Sequence, residues 1–123
     1  MSESAIQLVE DFVQAFNNRD VEAIMAFFTE DAIYHNMPME PAQGTVAIRA
    51  MIDGFVNPAE KIAWENLNIS EAGSTVLTER IDRFVIGGKE VALPVMGAFD
   101  IKDGKIAAWR DYFDLATWAK QMG

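Results

Sequence analysis

Cysteine is absent from the 123 residues. That excludes disulfides, thiolate catalysis, cysteine-ligated zinc and iron–sulfur clusters together. Histidine is nearly absent: His35 stands alone. A serine-type triad or multi-histidine metal site would have to be built around that one ring. Positive charge is scarce. Lys and Arg number 10 against 19 Asp and Glu, a net charge of −9. Such a surface repels nucleic-acid phosphates and anionic membranes. No stretch approaches the ~18 apolar residues of a membrane span. Met1 to Asp11 lacks the basic start and apolar run of a signal peptide. The expected compartment is the cytoplasm. Repeats, linkers and low-complexity tracts are missing too.

What is present fits a globular domain. Half the residues are apolar and 24% are charged, and one domain spanning residues 1–123 is expected. Folding at this size hides roughly 65% of the unfolded chain's surface, enough for a core. The first third predicts helices. Ser4-Ala5-Ile6-Gln7 fits a capping box, and Ile6, Val9, Phe12, Val13 and Phe16 form one apolar stripe. Asn17-Asn18-Arg19 is a break. Asp20 then caps a second helix with Val21, Ile24, Met25 and Phe28 on one face. An extended piece, Ala32 to Asn36, leads to Met37-Pro38. Gly44 or Thr45 opens a third helix carrying Ile48, Met51, Ile52 and Phe55, which Asn57-Pro58 ends.

The second half predicts sheet. Strands are expected at Lys61–Ile69, Thr75–Ile86, Lys89–Ile101 and Lys105–Phe113. Ala72-Gly73-Ser74, Gly87-Gly88 and Asp103-Gly104 are the turns between them. Pro94 implies a bulge or an edge. Asp114 caps a last helix carrying Leu115, Trp118 and Ala119. Helices followed by an antiparallel meander argue an α+β fold, with room for a pocket between layers.

Three places break the pattern. On the Thr75–Ile86 strand, Val76, Thr78, Arg80, Asp82, Phe84 and Ile86 share a face. Charged side chains are rarely buried unless paired. Spacing alone therefore favours a solvated strand, with an ion pair set in an apolar wall as the other reading. On the last strand Ala107, Trp109, Asp111, Phe113 and Leu115 share a face. A carboxylate between aromatics is expensive unless paired, and spacing leaves open whether Asp111 is structural or catalytic. Arg110 and Tyr112 point the other way. In Tyr34-His35-Asn36, the first and third side chains face one side and are suited to holding a water molecule, although such residues commonly just satisfy nearby backbone. His35 reads as a packed or exposed histidine. Met37, Met39, Met51 and Met96 are candidates for an adaptable pocket wall. Asp53, Glu60, Glu65, Glu71 and Asp100 read as solvated surface.

Tyr34-His35-Asn36-Met37-Pro38, Glu79-Arg80-Ile81-Asp82 and Trp109-Arg110-Asp111-Tyr112-Phe113-Asp114, in this order, resemble the limonene-1,2-epoxide hydrolase family. The resemblance runs from the first helix to Trp118; His35 stands where the family pattern has Gln. It implies the cone-shaped nuclear-transport-factor-2-like fold, a strongly curved mixed sheet with helices closing a deep pocket, and a homodimer. It also implies roles. Asp111 is the general base, and Tyr34, Asn36 and Asp111 hold the attacking water. Asp82 is the general acid, and Arg80 bridges the two carboxylates. The expected substrate is a small hydrophobic epoxide, cyclic and terpene-like, opened to a vicinal diol in one step with neither metal nor cofactor. Two carboxyl groups in opposite protonation states suit that reaction. The rivals on the same fold are a ketosteroid isomerase or polyketide cyclase-like enzyme and a non-catalytic small-molecule carrier.

Overall fold

A computed structural model describes residues 4–123. In chain order it contains α1 (Ala5–Asn17), α2 (Val21–Met25), β1 (Phe28–Asn36), β2 (Ala42–Gln43), α3 (Thr45–Val56), β3 (Ala59–Ala72), β4 (Thr75–Ile86), β5 (Lys89–Lys102), β6 (Lys105–Tyr112) and α4 (Leu115–Met122). The strands form one curved, unclosed sheet ordered β2-β1-β6-β5-β4-β3. All neighbours are antiparallel except β1 and β6, which run parallel. This is the expected α+β class with a mixed sheet.

Local chemistry sets the element ends. The Ser4 hydroxyl accepts from the Gln7 amide and the Asp20 carboxylate from the Ala23 amide, so both helices begin with a satisfied donor. Gly87-Gly88 has φ of 58° and 76°, and Asp103-Gly104 has 51° and 74°. Positive φ at both central residues suits the strand twist of a tight hairpin. The α1 stripe buries Val9, Phe12, Val13 and Phe16 against the concave face of the sheet. There Phe12 meets the edges or faces of Phe28, Phe99 and Trp109 at centroid distances of 5.0–5.9 Å.

Two expectations need correction. Phe28 does not extend the second helix. That helix stops at Met25, and Phe28 opens β1 opposite Ile106. Five residues are too few for an autonomous helix, and the parallel ladder with β6 claims the segment, with Ile106 N–H donating to the Phe27 carbonyl at 2.7 Å. Strand β3 is also longer than expected at both ends, because the full length of β4 pairs with it. Pro94 causes no bulge: β4 and β5 stay in register past it. The β5–β6 ladder ends at Met96 opposite Tyr112, so Pro94 lies on a local free edge. Beside it the Gln121 side chain of α4 exchanges both hydrogen bonds with the Ala92 backbone, at 2.7 and 2.9 Å.

Candidate active site

Strand β4 positions the centre of the site. Its buried side chains are Val76, Thr78, Arg80, Asp82 and Phe84, all on the concave face. The solvated-strand reading therefore fails. Arg80 is fully buried and Asp82 is 3% exposed. The guanidinium sits between two carboxylates. Its Nε and Nη2 donate to Asp82 Oδ1 and Oδ2, both at 2.9 Å. Its Nη2 and Nη1 donate to Asp111 Oδ2 and Oδ1 at 2.7 and 3.2 Å. A fifth N–H, on Nη1, reaches Thr78 Oγ1 at 3.4 Å. All five donors of the planar fork are thereby used, which is what makes a buried guanidinium tolerable. Burial opposes the charge on Arg80, but Asp111 and Asp82 outweigh it and hold its pKa well above the ordinary value.

Asp111 comes from β6. It takes a third donor, Trp109 Nε1, at 2.7 Å on Oδ1. Three N–H groups aimed at one carboxyl suit a group that only accepts. Asp82 has only the Arg80 fork. Burial raises its pKa to about 6; Arg80 pulls it down and Asp111 pushes it up. The two carboxyls thus stand in different surroundings although they share one cation.

Gly97 on β5 makes the convergence possible. It lies opposite Thr78 on one side and Asp111 on the other. A Cβ there would stand 2.7 Å from Arg80 Nη1, 2.8 Å from Thr78 Oγ1 and 2.9 Å from Asp111 Oδ1. Bare backbone is the floor on which the ion triad rests.

The parallel pairing of β1 with β6 brings in the remaining two residues. Tyr34 lies opposite Trp109 and Asn36 opposite Asp111. The Tyr34 ring stacks on Trp109 at 4.0 Å and 7°. Tyr34 is buried, which lifts its phenol well above its ordinary pKa, and the Asp111 charge lifts it further while the neighbouring Asn36 amide pulls it down. The phenol therefore keeps its proton as a donor. Asn36 Nδ2 contacts Met51 Sδ at 3.6 Å.

These groups end a cavity of about 350 Å³. Among the described residues that line it, Tyr34, Asn36, Asp82, Asp111 and the Trp64 and Trp118 indoles carry hydrogen-bonding groups; Phe55, Phe84, Leu93, Val95 and Phe113 are among the apolar rest. A few convergent polar groups in an apolar hollow of this size are the usual form of a small-molecule site. Arg80 does not line the cavity; it stands behind both carboxyls.

All five side chains named from the sequence, Tyr34, Asn36, Arg80, Asp82 and Asp111, thus meet at one place. Met39 and Met51 line the cavity, whereas Met37 and Met96 do not, and Met96 is exposed on the opposite face. His35 faces away and contacts the Met39 carbonyl at 2.9 Å. Sequence reasoning missed Thr78, Gly97 and Trp64 as parts of the site. Alternation put Thr78 on the right face, but no periodic signal marks Gly97 or Trp64.

An open curved sheet backed by helices, with buried carboxyls at the base of its pocket, defines an NTF2-like pocket protein. An NTF2-like protein of unknown function from Cytophaga hutchinsonii ATCC 33406 has that fold, with a TM-score of 0.78 at 18% identity over 97% of each chain. The limonene-1,2-epoxide hydrolase catalytic domain matches residues 3–123. Epoxide hydrolase EphG of Mycobacterium tuberculosis (strain ATCC 25618 / H37Rv) is 36% identical over 117 residues, 93% of this chain and 76% of that protein. The solved structure of an M. tuberculosis LEH-like epoxide hydrolase gives a TM-score of 0.84 at 32% identity, covering 95% of this chain and 87% of that one. The chain belongs to the limonene-1,2-epoxide hydrolase family, and it is an epoxide hydrolase.

Proposed function

We propose that this enzyme opens a hydrophobic, cyclic terpene-like epoxide to a vicinal diol by one-step attack of water, without a cofactor. One observation carries the reading: two buried carboxyls, bridged by Arg80, face a cavity whose other walls are mostly hydrocarbon. In this reading Asp111 is the general base. Water is held between Asp111, Asn36 and the Tyr34 hydroxyl. Asp111 takes its proton as the water oxygen attacks a ring carbon. The C–O bond breaks, and Asp82 delivers its proton to the leaving oxygen. Arg80 keeps both carboxyls in place, and its charge compensates the one that Asp111 bears at the start and Asp82 bears at the end. Each assisted proton transfer contributes about 10²–10⁴-fold, and ring strain supplies driving force.

The test is diol formation from limonene oxide, cyclohexene oxide and larger epoxides, followed by chiral gas chromatography, with Asp111→Asn as the matched control. We expect diol from the wild type and a loss of about 10²–10⁴-fold in the variant. Because Asp111 accepts three N–H donors, the variant also loses about 1.5–3 kcal/mol of stability but stays folded. Retention of most of the rate removes Asp111 from the role. Single turnover in ¹⁸O-water separates the one-step route from a covalent ester; unlabelled diol oxygen drawn from the enzyme refutes direct attack. Isomerisation of an enone without diol formation would restore the isomerase reading.

The functional unit in this reading is a cytoplasmic homodimer of a single 1–123 domain. Support comes from the convex sheet face, where Ile81 and Pro94, then Met96 and Tyr112, lie side by side, with Leu77 nearby. Met96 is 52% and Tyr112 50% exposed; this apolar surface surrounds Glu79, which lies opposite Met96, and an exposed apolar patch with polar neighbours marks an interface. Met96→Glu is expected to shift the protein from dimer to monomer in light-scattering chromatography. A monomeric wild type would end the proposal.

A further inference from the structure

Trp64 belongs to β3, outside the five residues of the proposed machinery. It lies directly opposite Asp82 on β4 and lines the cavity beside it. It is 5% exposed. Its ring lies 5.0 Å from the Arg80 Cζ, nearer than the Trp109 and Phe99 rings at 5.9 and 6.0 Å. Phe16 stacks on Trp64 at 4.2 Å and Phe84 meets it edge-on at 5.9 Å. The backbone is held as firmly. Asn17, the last residue of α1, accepts from the Trp64 N–H at 2.7 Å and donates to its carbonyl at 3.1 Å. This replaces the missing neighbour strand on the outer edge of β3. Among the described residues the buried indole Nε1 has no hydrogen-bond partner. The ring lies over the Arg80 guanidinium and opposite Asp82, and so covers that pair from the β3 side.

We propose that Trp64 is a positioning residue for the reaction: its indole seals the Arg80–Asp82 ion pair from water and so sets the pH at which Asp82 gives up its proton. The inference rests on the assignment of Asp82 as general acid. The charged and titratable groups facing Asp82 are Arg80 from its own strand, Asp111 from β6 and Tyr34 from β1. Strand β3 offers only Trp64 there and β5 only Leu93. Phe55 of α3 and Trp118 of α4, which also line the cavity, are uncharged. Burial is the largest influence raising Asp82. Water admitted beside it stabilises the carboxylate and lowers its pKa. A general acid must hold its proton, so activity falls as pH rises through that value.

The experiment compares wild type, Trp64→Leu and Trp64→Phe by two readouts. One is the carboxyl ¹³C titration of Asp82, assigned by its loss in Asp82→Asn. The other is the pH profile of kcat/KM for diol formation. Trp64→Leu is expected to lower the Asp82 titration by about one pH unit and to move the alkaline limb down equally. Trp64→Phe keeps a ring, removes the orphan donor and is expected to fold; it should show a smaller shift in the same direction. If Trp64→Leu does not fold, wild type and Trp64→Phe decide alone. An Asp82 titration unmoved in the folded variants overturns the seal. A titration that moves while the alkaline limb stays put supports the seal and removes Asp82 from the acid role, so the two failures are distinguishable.

Discussion

Gly97→Ala adds one methyl group at a position where the structure leaves no room for it. The φ of Gly97 is not positive, so alanine meets no backbone strain. The difficulty is contact alone. The new Cβ would fall within 3.0 Å of three polar atoms, those of Arg80, Thr78 and Asp111. None can retreat cheaply, because Arg80 is fully buried and already committed on every donor. Overpacking costs about 1–3 kcal/mol, and pushing Nη1 off Asp111 forfeits about 1.5–3 kcal/mol for a charge-assisted bond. The expected loss is about 3–5 kcal/mol, a large part of the ~5–15 kcal/mol that such a domain has. At this chain length that lowers the melting temperature by roughly 10–25 °C. Gly54→Ala is the internal control. Gly54 lies in α3 with nothing within 4 Å of its hypothetical Cβ, so its replacement should raise stability by about 0.5–1 kcal/mol. Melting curves are measured for both; diol formation is measured for Gly97→Ala alone, because Gly54 lines the cavity. A Gly97→Ala protein that melts within about 2 °C of wild type and keeps its activity would falsify the packing argument.

Arg80→Ala leaves two carboxyls buried without their cation and should cost about 3–5 kcal/mol together with the activity; an unchanged denaturation midpoint would mean that water reaches the triad. Asp82 gives stability a definite pH slope. Its folded pKa of about 6 lies above the ordinary 3.8, so the folded state holds the proton more tightly. That contribution is complete below about pH 4 and is lost as pH rises to about 6. Urea midpoints of wild type should fall across that window relative to Asp82→Asn, and parallel curves would refute the assignment.

Much of this was legible from one regularity. Alternation along Thr75–Ile86 placed Thr78, Arg80 and Asp82 on one face, and the same rule joined Trp109 to Asp111 and Tyr34 to Asn36. What alternation does not give is which strand lies beside which. Nothing local states that β1 runs parallel to β6, and that pairing assembles the site. Burial of Arg80 was illegible for the same reason. A lone charged strand residue reads as solvated until its partners from β6 and the empty space of Gly97 are known. Phe28 has helical spacing after Val21, Ile24 and Met25, yet it lies in β1 opposite Ile106, because the ladder with β6 outweighs a five-residue helix. Asn17 read as a mere break because its edge-strand partner lies 47 positions away.

The parallel β1–β6 seam has a kinetic meaning as well. Tyr34 and Asn36 come from the early part of the chain and Trp109 and Asp111 from its end, and they become neighbours only when that seam closes. The β3-β4-β5-β6 meander can form by successive hairpins, whereas this pairing must bring distant segments together and is intrinsically slow. Arg80, Asp82 and Asp111 can therefore be gathered by the meander before the water-holding side of the pocket exists. During refolding the tertiary signal of the meander should precede the return of turnover. The enzyme would acquire its chemistry only at the last step of its own assembly.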